Sequence, residues 1–376
     1  MEKVKVAVVM PTHFDIYSSL SNLLKVYRYL IKNKNIEVTI FTDKKNRVSY
    51  EDFKIEAING IDYKTPIEKL LLFLGLQRFY YFDLIDKLKD YDVIESSNPE
   101  FYWFAYQSYL AAKKYNSKLI YRTSQTVDGF YLFKLIKFIP ISIAKKAYSY
   151  AKWLLFTNPE AVSRCVRLGL VDKNSKKIVV IGHATDTKTF KPLNLKKNEN
   201  KIILLSVGGL YKIKGHHLII ESLKKIVDKG YNAELWIVGG GYYKNSLIVL
   251  IKKLNLEKNV KFLGSKEHKE LTVLYNKADI FVLANYQEIT PAVNEALACN
   301  TPVVVMDCGG RDFVVPNESY GLIAKRFDTE DISNKIIKLI EDKDLAERIA
   351  NNGRNHVIKN FSVKKVAEKF YKCFTS

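Results

Sequence analysis

Residues 279–307 read DIFVLANYQEITPAVNEALACNTPVVVMD. Two apolar runs, at 279–285 and 301–307, flank a helical pattern at 291–299 that is rich in small residues. Apolar runs that do not alternate with polar residues, and that helices separate, are typical of strands buried in a parallel sheet. The stretch therefore predicts a strand–helix–strand unit of an α/β domain.

The same succession of strand and helix runs along both halves of the chain. In the first half we predict strands at 5–10, 37–42, 92–96, 118–123, 153–158 and 177–182, and helices at 17–33, 66–90, 100–115, 134–152 and 159–168. In the second half we predict strands at 201–208, 233–240, 260–264, 279–285, 301–307 and 321–325, and helices at 215–229, 242–255, 267–276, 291–299, 328–341, 343–357 and 362–374. The polar stretch 183–200 separates the halves, so we predict two doubly wound α/β domains with a cleft between them.

Composition is consistent with two globular domains. The chain has 376 residues and is 47% hydrophobic, which is enough for two cores. Its four cysteines lie far apart without metal-ligand spacing, so we expect reduced thiols in a cytosolic protein. The apolar run at 5–10 ends at Pro11, which indicates a buried strand rather than a signal peptide. No apolar stretch reaches about 18 residues, so no membrane-spanning helix is predicted.

The charge of the chain favours anionic partners. Sixty Lys and Arg against 40 Asp and Glu give +20, although a general bias toward Lys would produce the same total. Residues 101–157 contain nine Lys and Arg and one acid, Asp128, so this segment alone carries +8. Within it, 130–152 interleaves Lys with aromatic and aliphatic residues. We therefore predict that 130–152 binds an anionic membrane surface, with an ordinary basic surface helix as the alternative.

Ligands of open α/β sheets bind beyond the carboxyl ends of the strands. After the strand at 201–208, Gly208 and Gly209 allow backbone amides to approach a ligand, and Lys212 and Lys214 add positive charge. Free amides beside an ammonium group suit a phosphate, although an ordinary strand-to-helix turn has the same composition.

Two further loops are candidates for the same site. Gly239 begins a run of three glycines after the strand at 233–240, where a tight turn or the wall of a ligand site would both need glycine. Ser265 follows the strand at 260–264, where backbone groups could contact a planar base.

The helix at 291–299 begins with residues that favour an anion site. Pro291 suits the first helical position and Thr290 suits the N-cap before it. The amides of Ala292 and Val293 are then expected to be free at the positive end of the helix dipole. Asn300 is suited to the left-handed conformation that ends a helix.

Two glutamates bracket this helix start. Glu295 lies one turn beyond Pro291, where a carboxylate suits vicinal hydroxyl groups beside a phosphate. Glu288 precedes the N-cap, where it could accept hydrogen bonds from a sugar. The alternative is structural, with Glu288 solvated and Glu295 in a salt bridge.

Together these loops resemble the family 4 glycosyltransferases, which have the GT-B fold of two Rossmann-like domains. Six ordered matches carry the resemblance, namely GHATDTKTFKP (182–192), SVGGLYKIKGHHLIIES (206–222), LWIVGGGYYKNSL (235–247), NVKFLGSKEHKEL (259–271), LYNKADIFVLAN (274–285) and PAVNEALACNTPVVVMDCGG (291–310). The resemblance is clear over 180–375 and rests on layout alone over 1–180. It implies an acceptor-side domain at 1–185 with a returning helix at 361–376, and a donor domain at 186–360.

The resemblance also implies roles for individual residues. Lys214 corresponds to the family's Lys that binds the donor diphosphate, and Glu295 to the second glutamate of its E-x7-E motif, which holds the ribose. The family's spacing would place Gln287 at the first glutamate, but the E-x-x-P spacing of many members favours Glu288. Thr290 and Ala292 would then supply contacts to the distal phosphate.

The sequence departs from the family at three places. Gly209 stands where the family has a diphosphate-binding Arg, and Lys212 is the candidate to replace that charge. The family's glycine loop after the first strand is absent, and His13 lies there instead. The family's His after the fourth N-terminal strand is also absent. The acceptor-side candidates are therefore His13, Arg122, Ser124 and Gln125.

The resemblance implies transfer of a sugar from a nucleoside diphosphate sugar, with retention, to a glycan or lipid-linked acceptor. Lys214, the helix amides at 291–293 and the loop amides at 208–209 would stabilise the departing diphosphate, with Glu288 at the sugar, so neither a metal nor another cofactor is expected. We expect a cytoplasmic location, peripheral at the inner face of the membrane. The alternatives are a catalytically weak subunit of this fold that binds or regulates a partner, an epimerase, and a nucleic-acid-binding protein. The last lacks a recognisable reading module, so we expect no nucleic acid partner.

Overall fold

The computed structural model describes residues 2–10, 20–44, 53–60, 80–100, 102–124, 138–197 and 200–376. The chain divides into two compact units. Unit 1 comprises Met1–His183 and Lys364–Ser376, and unit 2 comprises Ala184–Val363.

Unit 1 is a parallel sheet with helices between its strands. Its strands are β1 (Val4–Val9), β2 (Ile36–Asp43), β3 (Lys54–Ile58), β4 (Val93–Ser96), β5 (Lys118–Thr123), β6 (Trp153–Phe156) and β7 (Ile178–Val180). Its first helices are α1 (Leu20–Asn33), α2 (Leu84–Lys87), α3 (Trp103–Tyr115), α4 (Phe138–Tyr150) and α5 (Pro159–Arg167). The strand order is β3-β2-β1-β4-β5-β6-β7, and Val6 of β1 pairs with Val38 of β2 and Val93 of β4. This is the doubly wound arrangement that the sequence predicted.

The sequence prediction missed strand β3. Lys54–Ile58 lies at the edge of the sheet, paired only with β2 in the described structure. Of its five residues, only Ile58 is fully buried, and Lys54 and Glu56 are charged. An edge strand with one buried side chain has no apolar run, which is why hydrophobic patterning did not reveal it. The sequence also predicted a helix at 66–90. Residues 66–79 of this range lie outside the described residues, and within 80–90 the structure contains the short helix α2.

Unit 2 contains a second parallel sheet. Its strands are β8 (Ile202–Val207), β9 (Ala233–Val238), β10 (Val260–Gly264), β11 (Ile280–Leu283), β12 (Val303–Met306) and β13 (Leu322–Ala324), in the order β10-β9-β8-β11-β12-β13. Its helices are α6 (His216–Asp228), α7 (Lys244–Lys253), α8 (His268–Lys277), α9 (Pro291–Ala298), α10 (Arg311–Val314), α11 (Thr329–Glu341) and α12 (Lys343–Phe361). All six strands predicted for this half are confirmed, and α10, a single turn, is the one helix that the sequence did not predict.

The last helix, α13 (Val363–Thr375), packs on unit 1. The ring of Phe370 lies 5.9 Å from that of Tyr27 in an edge-to-face contact. Lys369 donates hydrogen bonds to the carbonyl oxygens of Val180 (3.2 Å) and Ile181 (2.9 Å). The prediction that the C-terminal helix returns to the first domain is therefore confirmed.

Helix α12 fixes helix α9 by close packing. A Cβ added to Gly353 of α12 would lie 2.4 Å from Cδ2 of Leu297 in α9 and 3.0 Å from the carbonyl oxygen of Tyr320. The contact therefore depends on the absence of a side chain at residue 353. Because α9 begins at Pro291, this packing also sets the position of the residues at its start.

We predict that Gly353→Val lowers the free energy of unfolding of unit 2 by about 1–3 kcal/mol, because the added atoms overpack the contact between α9 and α12. Chemical denaturation followed by circular dichroism measures the change. Asn351→Ala, at an exposed position of the same helix, is the control and should leave stability almost unaltered. Equal stability of the Gly353→Val variant and the parent would show that α9 and α12 are not tightly packed.

Candidate functional site

Backbone hydrogen bonds join the loops at the carboxyl end of the unit 2 sheet. Leu210 N donates to Gly240 O (2.8 Å), which joins the loops after β8 and β9. Tyr286 N donates to Ile213 O (2.9 Å), which joins the loops after β11 and β8. Gly309 N donates to Gln287 O (2.9 Å), which adds the loop after β12. The candidate residues on these loops are therefore held at one edge of the sheet.

Glycines allow this close approach of main chains. Gly239 has φ +136°, and a Cβ there would lie 2.0 Å from the carbonyl oxygen of Gly208. Gly215 has φ +70°, and its Cβ would lie 1.9 Å from the carbonyl oxygen of Ala284. Any side chain at either position would separate two of the loops, so both glycines are structural requirements of the site.

Lys214 is the half-buried cation of this edge. It ends a short 3₁₀ turn, Lys212–Lys214, in which Lys212 is exposed. Across the described residues, the Lys214 ammonium forms no hydrogen bond or ion pair. Burial lowers the pKa of Lys214, while the carboxylate of Glu288 acts in the opposite direction. A desolvated ammonium that no carboxylate of the described residues pairs with is suited to an anionic ligand group.

Glu288 is fixed in an extended segment rather than in a free loop. It forms a parallel bridge with Gly309, because Ile289 N donates to Gly309 O (3.0 Å) and Gly309 N to Gln287 O. Ile289 is 2% exposed, and neighbouring side chains of an extended segment point to opposite sides. The side chain of Glu288 therefore points away from the core that holds Ile289. The sequence assigned no role to Gly309, although the pair of glycines after β12 was a visible signal.

The start of helix α9 differs in part from the expectation. Pro291 is the first helical residue and Thr290 the N-cap, as predicted, but the Thr290 side chain makes no capping hydrogen bond. Val293 N donates to Thr290 O (3.1 Å), so the prediction of a free Val293 amide is wrong. A 3₁₀-type bond tightens the first turn and satisfies this donor. The Thr290 hydroxyl oxygen is buried without a hydrogen-bond partner in the described structure. Asn300 adopts φ +62°, as predicted.

Glu295 is buried within unit 2. It is 7% exposed, and its Oε2 accepts a hydrogen bond from the hydroxyl of Tyr275 in α8 (3.0 Å). Burial raises the pKa of Tyr275 well above its usual range, with Glu295 as the next cause. This contact joins α8 to α9. The salt bridge of the structural alternative and the ribose contact both stay predictions.

Tyr211 occupies the space beside Gly209. A Cβ on Gly209 would lie 2.6 Å from Cε2 of the Tyr211 ring. Tyr211 in turn lies 5.3 Å from the ring of Tyr242, and both are exposed. Position 209 therefore has no room for the Arg of the family without movement of Tyr211. Ser265 is exposed, and a Cβ added to Gly240, beside Gly239, would lie 3.8 Å from its hydroxyl.

Arg326 reaches the same loops and was not predicted. Its Nη2 donates to Tyr286 O (2.5 Å) from the loop that follows β13. Phe327 beside it has φ +61°, is 52% exposed, and packs edge-to-face on Tyr286 with ring centroids 4.7 Å apart. No sequence pattern indicated Arg326, because a single Arg after a short strand forms no motif.

The acceptor-side candidates of unit 1 are only partly described. His13 and Gln125 lie outside the described residues. Ser124 is exposed after β5. Arg122 is held by unit 1 itself, since its Nε donates to Oε1 of Glu95 at 2.9 Å and the Tyr27 hydroxyl donates to the same oxygen at 2.7 Å. Burial raises the pKa of Glu95, and Arg122 opposes that shift.

The arrangement of His, Cys, Asp and Glu side chains shows whether the described residues contain a metal site. Across the described residues, no group of three His, Cys, Asp or Glu has the arrangement of a metal site. The four cysteines are free, as predicted, and burial raises the pKa of Cys308 to about 12.

The helices of the described part include none that is long and apolar enough to cross a membrane. A cavity lined by Asn276, Asn300 and Pro302 lies at the opposite, amino end of the unit 2 strands.

Comparisons with known proteins identify the class. The family Glycosyl transferases group 1 matches residues 186–356. An N,N'-diacetylbacillosaminyl-diphospho-undecaprenol alpha-1,3-N-acetylgalactosaminyltransferase of Campylobacter jejuni is 28% identical over 85% of this chain and 86% of its own length. The capsular polysaccharide biosynthesis glycosyltransferase CapM of Staphylococcus aureus is 30% identical over 65% of this chain and 66% of its own.

Solved structures share the fold over the whole chain. A glycosyltransferase from Rickettsia africae has a TM-score of 0.77 at 20% identity, covering 100% of this chain and 98% of that one. Anabaena Alr3699/HepE, in complex with UDP and glucose, has a TM-score of 0.76 at 16% identity, covering 99% and 100%. Residues 186–356 thus carry a group 1 glycosyltransferase domain. The chain is a glycosyltransferase with the two Rossmann-like domains of the GT-B fold.

His216 provides a test of the loop that carries Lys214. It is 2% exposed, its Nδ1 lies 3.2 Å from Ser206 Oγ, and burial lowers its pKa to about 4. The neutral ring is favoured in the folded state, so its contribution to stability is present above the unfolded pKa of about 6.5 and is lost as pH falls toward 4.

We predict that His216→Gln reduces the loss of stability between pH 6.5 and 4 by up to about 3 kcal/mol, since Gln cannot gain a proton there. Urea denaturation of unit 2 at a series of pH values measures this. At pH 8 the His216 ring is neutral in both the folded and the unfolded state. A difference in stability between the variant and the parent at this pH therefore reports the effect of packing alone. A pH dependence identical to that of the parent chain would mean that His216 is not buried as described.

Proposed function

We propose that this chain transfers a glycosyl group from a nucleoside diphosphate sugar, with retention of anomeric configuration, to a glycan or lipid-linked acceptor. The observation that carries the proposal is that half-buried Lys214 and Glu288 lie on loops that backbone hydrogen bonds join at the carboxyl edge of the unit 2 sheet. One group is suited to the diphosphate and the other to the hydroxyl groups of the sugar. The donor would bind the predicted donor domain at 186–360, and the acceptor would bind the predicted domain of 1–185 and 361–376.

Charge separation is the main barrier when a diphosphate leaves. Lys214 would stabilise the developing negative charge from a desolvated position, where its effect is larger than in water. The Ala292 amide at the start of α9, and the amides of Gly208 and Gly209, would contact the phosphate oxygens. These donors are fixed before the reaction, because the loops that carry them are bonded to one another.

The first glutamate of the motif is proposed to be Glu288 rather than Gln287. The Glu288 carboxylate acts on the pKa of Lys214, whereas the backbone of Gln287 is bonded to Gly309 and Asn285. A sugar next to a Lys214-bound diphosphate would therefore meet Glu288. Glu295 would hold the ribose, and Gly239 and Ser265 would border the base.

The acceptor is proposed to be lipid-linked. The Campylobacter jejuni relative is named for a diphospho-undecaprenol substrate, and the CapM relative for capsular polysaccharide biosynthesis. Anabaena Alr3699/HepE binds UDP and glucose, which favours a uridine diphosphate donor. The basic segment 130–152, of which the structure describes 138–152, would bring unit 1 to an anionic membrane at the cytoplasmic face.

We predict that one member of a panel of nucleoside diphosphate sugars raises the melting temperature of the purified chain, since a ligand bound only by the folded state stabilises it. Lys214→Ala and Glu295→Gln should abolish the shift. Lys252→Ala and Glu257→Gln, both exposed elsewhere in unit 2, are the controls and should respond like the parent. A shift retained by both site variants would place the donor elsewhere.

We predict that the product formed from an α-linked donor is α-linked, which the anomeric coupling constant in proton NMR reports. Glu288→Gln should lower kcat/KM roughly 10–100-fold through loss of charged hydrogen bonds, whereas Gln287→Ala should change it far less. Lys214→Ala should lower kcat by about 10²–10³-fold. A β-linked product would overturn retention. Donor binding without transfer to any acceptor would favour the catalytically weak alternative.

A further inference from the structure

Six aromatic rings form a continuous row on the surface of unit 1. We call Phe82, Tyr80, Trp103, Tyr106, Tyr109 and Tyr150 the aromatic row. Successive ring centroids lie 5.8, 6.5, 6.1, 5.4 and 5.3 Å apart along this order. The row begins before α2, follows α3, and ends at the last residue of α4.

The row coincides with the exposed hydrophobic surface of unit 1. Within the described part of this unit, the exposed large hydrophobic side chains are Tyr80, Phe82, Leu110 and Tyr150, with Phe82 at 69%. Three of them belong to the row. Leu110 lies on α3 four residues after Tyr106 and seven after Trp103, which places it on the same helical face. The exposed apolar groups are thus collected on one surface, and such a patch marks an interaction site.

Lysines surround one end of the row. Lys113 and Lys114 follow Leu110 by three and four residues on α3, and Lys145, Lys146 and Lys152 lie on or after α4. All five are exposed. In the described structure Lys114 alone of the five has an ion pair, with Asp86 at 3.0 Å. The remaining positive charges lie beside the Tyr150 end and have no acidic partner among the described residues to neutralise them.

We propose that the aromatic row docks unit 1 on an anionic lipid bilayer. Tyr and Trp prefer the interface between hydrocarbon and headgroups, since their rings are apolar and their polar atoms remain hydrated. Lysines beside them would contact the phosphates of anionic lipids. A second copy of the chain fits this surface less well, because the +8 charge of 101–157 would face an equal charge.

The row differs from the segment 130–152 that the sequence singled out. Five of its six rings lie outside that segment, and three of those five, Trp103, Tyr106 and Tyr109, lie on α3. A docked row would hold unit 1 at the depth of lipid headgroups, where the diphosphate of a lipid-linked acceptor also lies. The link between docking and a lipid-linked acceptor rests on the proposed function. Docking itself requires neither donor nor acceptor.

Vesicle flotation of the full chain tests the proposal. The parent should float with phosphatidylglycerol–phosphatidylcholine vesicles and remain unbound with phosphatidylcholine alone. Phe82→Ser/Leu110→Ser/Tyr150→Ser should reduce binding at least about tenfold at every salt concentration, because apolar insertion is lost. Lys113→Gln/Lys145→Gln/Lys146→Gln should reduce binding mainly at low salt.

Matched controls come from unit 2. Val249→Ser/Ile358→Ser removes equally exposed apolar groups, and Lys252→Gln/Lys253→Gln/Lys258→Gln removes equally exposed charges, so both should float like the parent. The chain has three Trp residues. With Trp153→Phe and Trp236→Phe, the fluorescence of Trp103 alone should shift to the blue on vesicle binding and be quenched by brominated lipid.

Three results would overturn the proposal. These are flotation of the aromatic variant equal to the parent, no flotation of the parent at low salt, and a Trp103 spectrum that vesicles leave unchanged. A dimer in light scattering that only the aromatic variant loses would assign the row to a second copy instead. Transfer to a water-soluble, short-chain analogue of the proposed lipid-linked acceptor, measured without vesicles, should be equal in the parent and the row variants. Failure of that transfer in the parent would count against the proposed function and not against docking.

Discussion

The close contact of main chains at the carboxyl edge of the unit 2 sheet is the constraint on which the rest of the site depends. Gly239 lies against the carbonyl of Gly208, and Gly215 against that of Ala284, at separations that no side chain would allow. Because of these contacts, the loops after β8, β9 and β11 share hydrogen bonds rather than extend into solvent. Lys214 and Glu288 come from different loops, and they share one edge of the sheet because the glycines allow those loops to contact each other.

The two units differ in whether the cation at the edge of the sheet is paired with a carboxylate. In unit 1, Arg122, Glu95 and Tyr27 form a closed cluster in which one carboxylate oxygen accepts from both neighbours. The second oxygen, Oε2, is buried without a hydrogen-bond partner in the described structure, but the carboxylate already pairs with the guanidinium of Arg122. In unit 2, Lys214 is half-buried and forms no ion pair with the described residues. A desolvated charge without a fixed partner gains more from an anionic ligand than a charge already paired.

Much of unit 2 could be predicted from sequence because the inner strands of its sheet are buried on both faces. The apolar runs at 201–208 and 301–307 leave no alternative to a central parallel strand, and Pro291 and Asn300 mark the ends of α9 through their own backbone preferences. Strand β3 has one buried residue and hence no pattern. The Val293 amide was misjudged because a hydrogen bond to Thr290 O depends on local tightening of the turn, which residue types do not encode.

The replacement of an Arg by Gly209 alters how the site can balance charge. Tyr211 fills the adjoining space, so position 209 contributes backbone amides and no cation. Lys212 is exposed, and its field is weakened by water and salt, whereas Lys214 acts from a less polar environment. Lys212 and Lys214 therefore have the same formal charge but contribute unequally to the electrostatic potential at this edge. Under the proposed function, most of the stabilisation of the diphosphate would come from Lys214, and much of the rest from amides whose positions the glycines fix. A site of this kind depends more on the geometry of its main chain than one with two buried cations, because an amide loses its effect when its direction changes by a small angle.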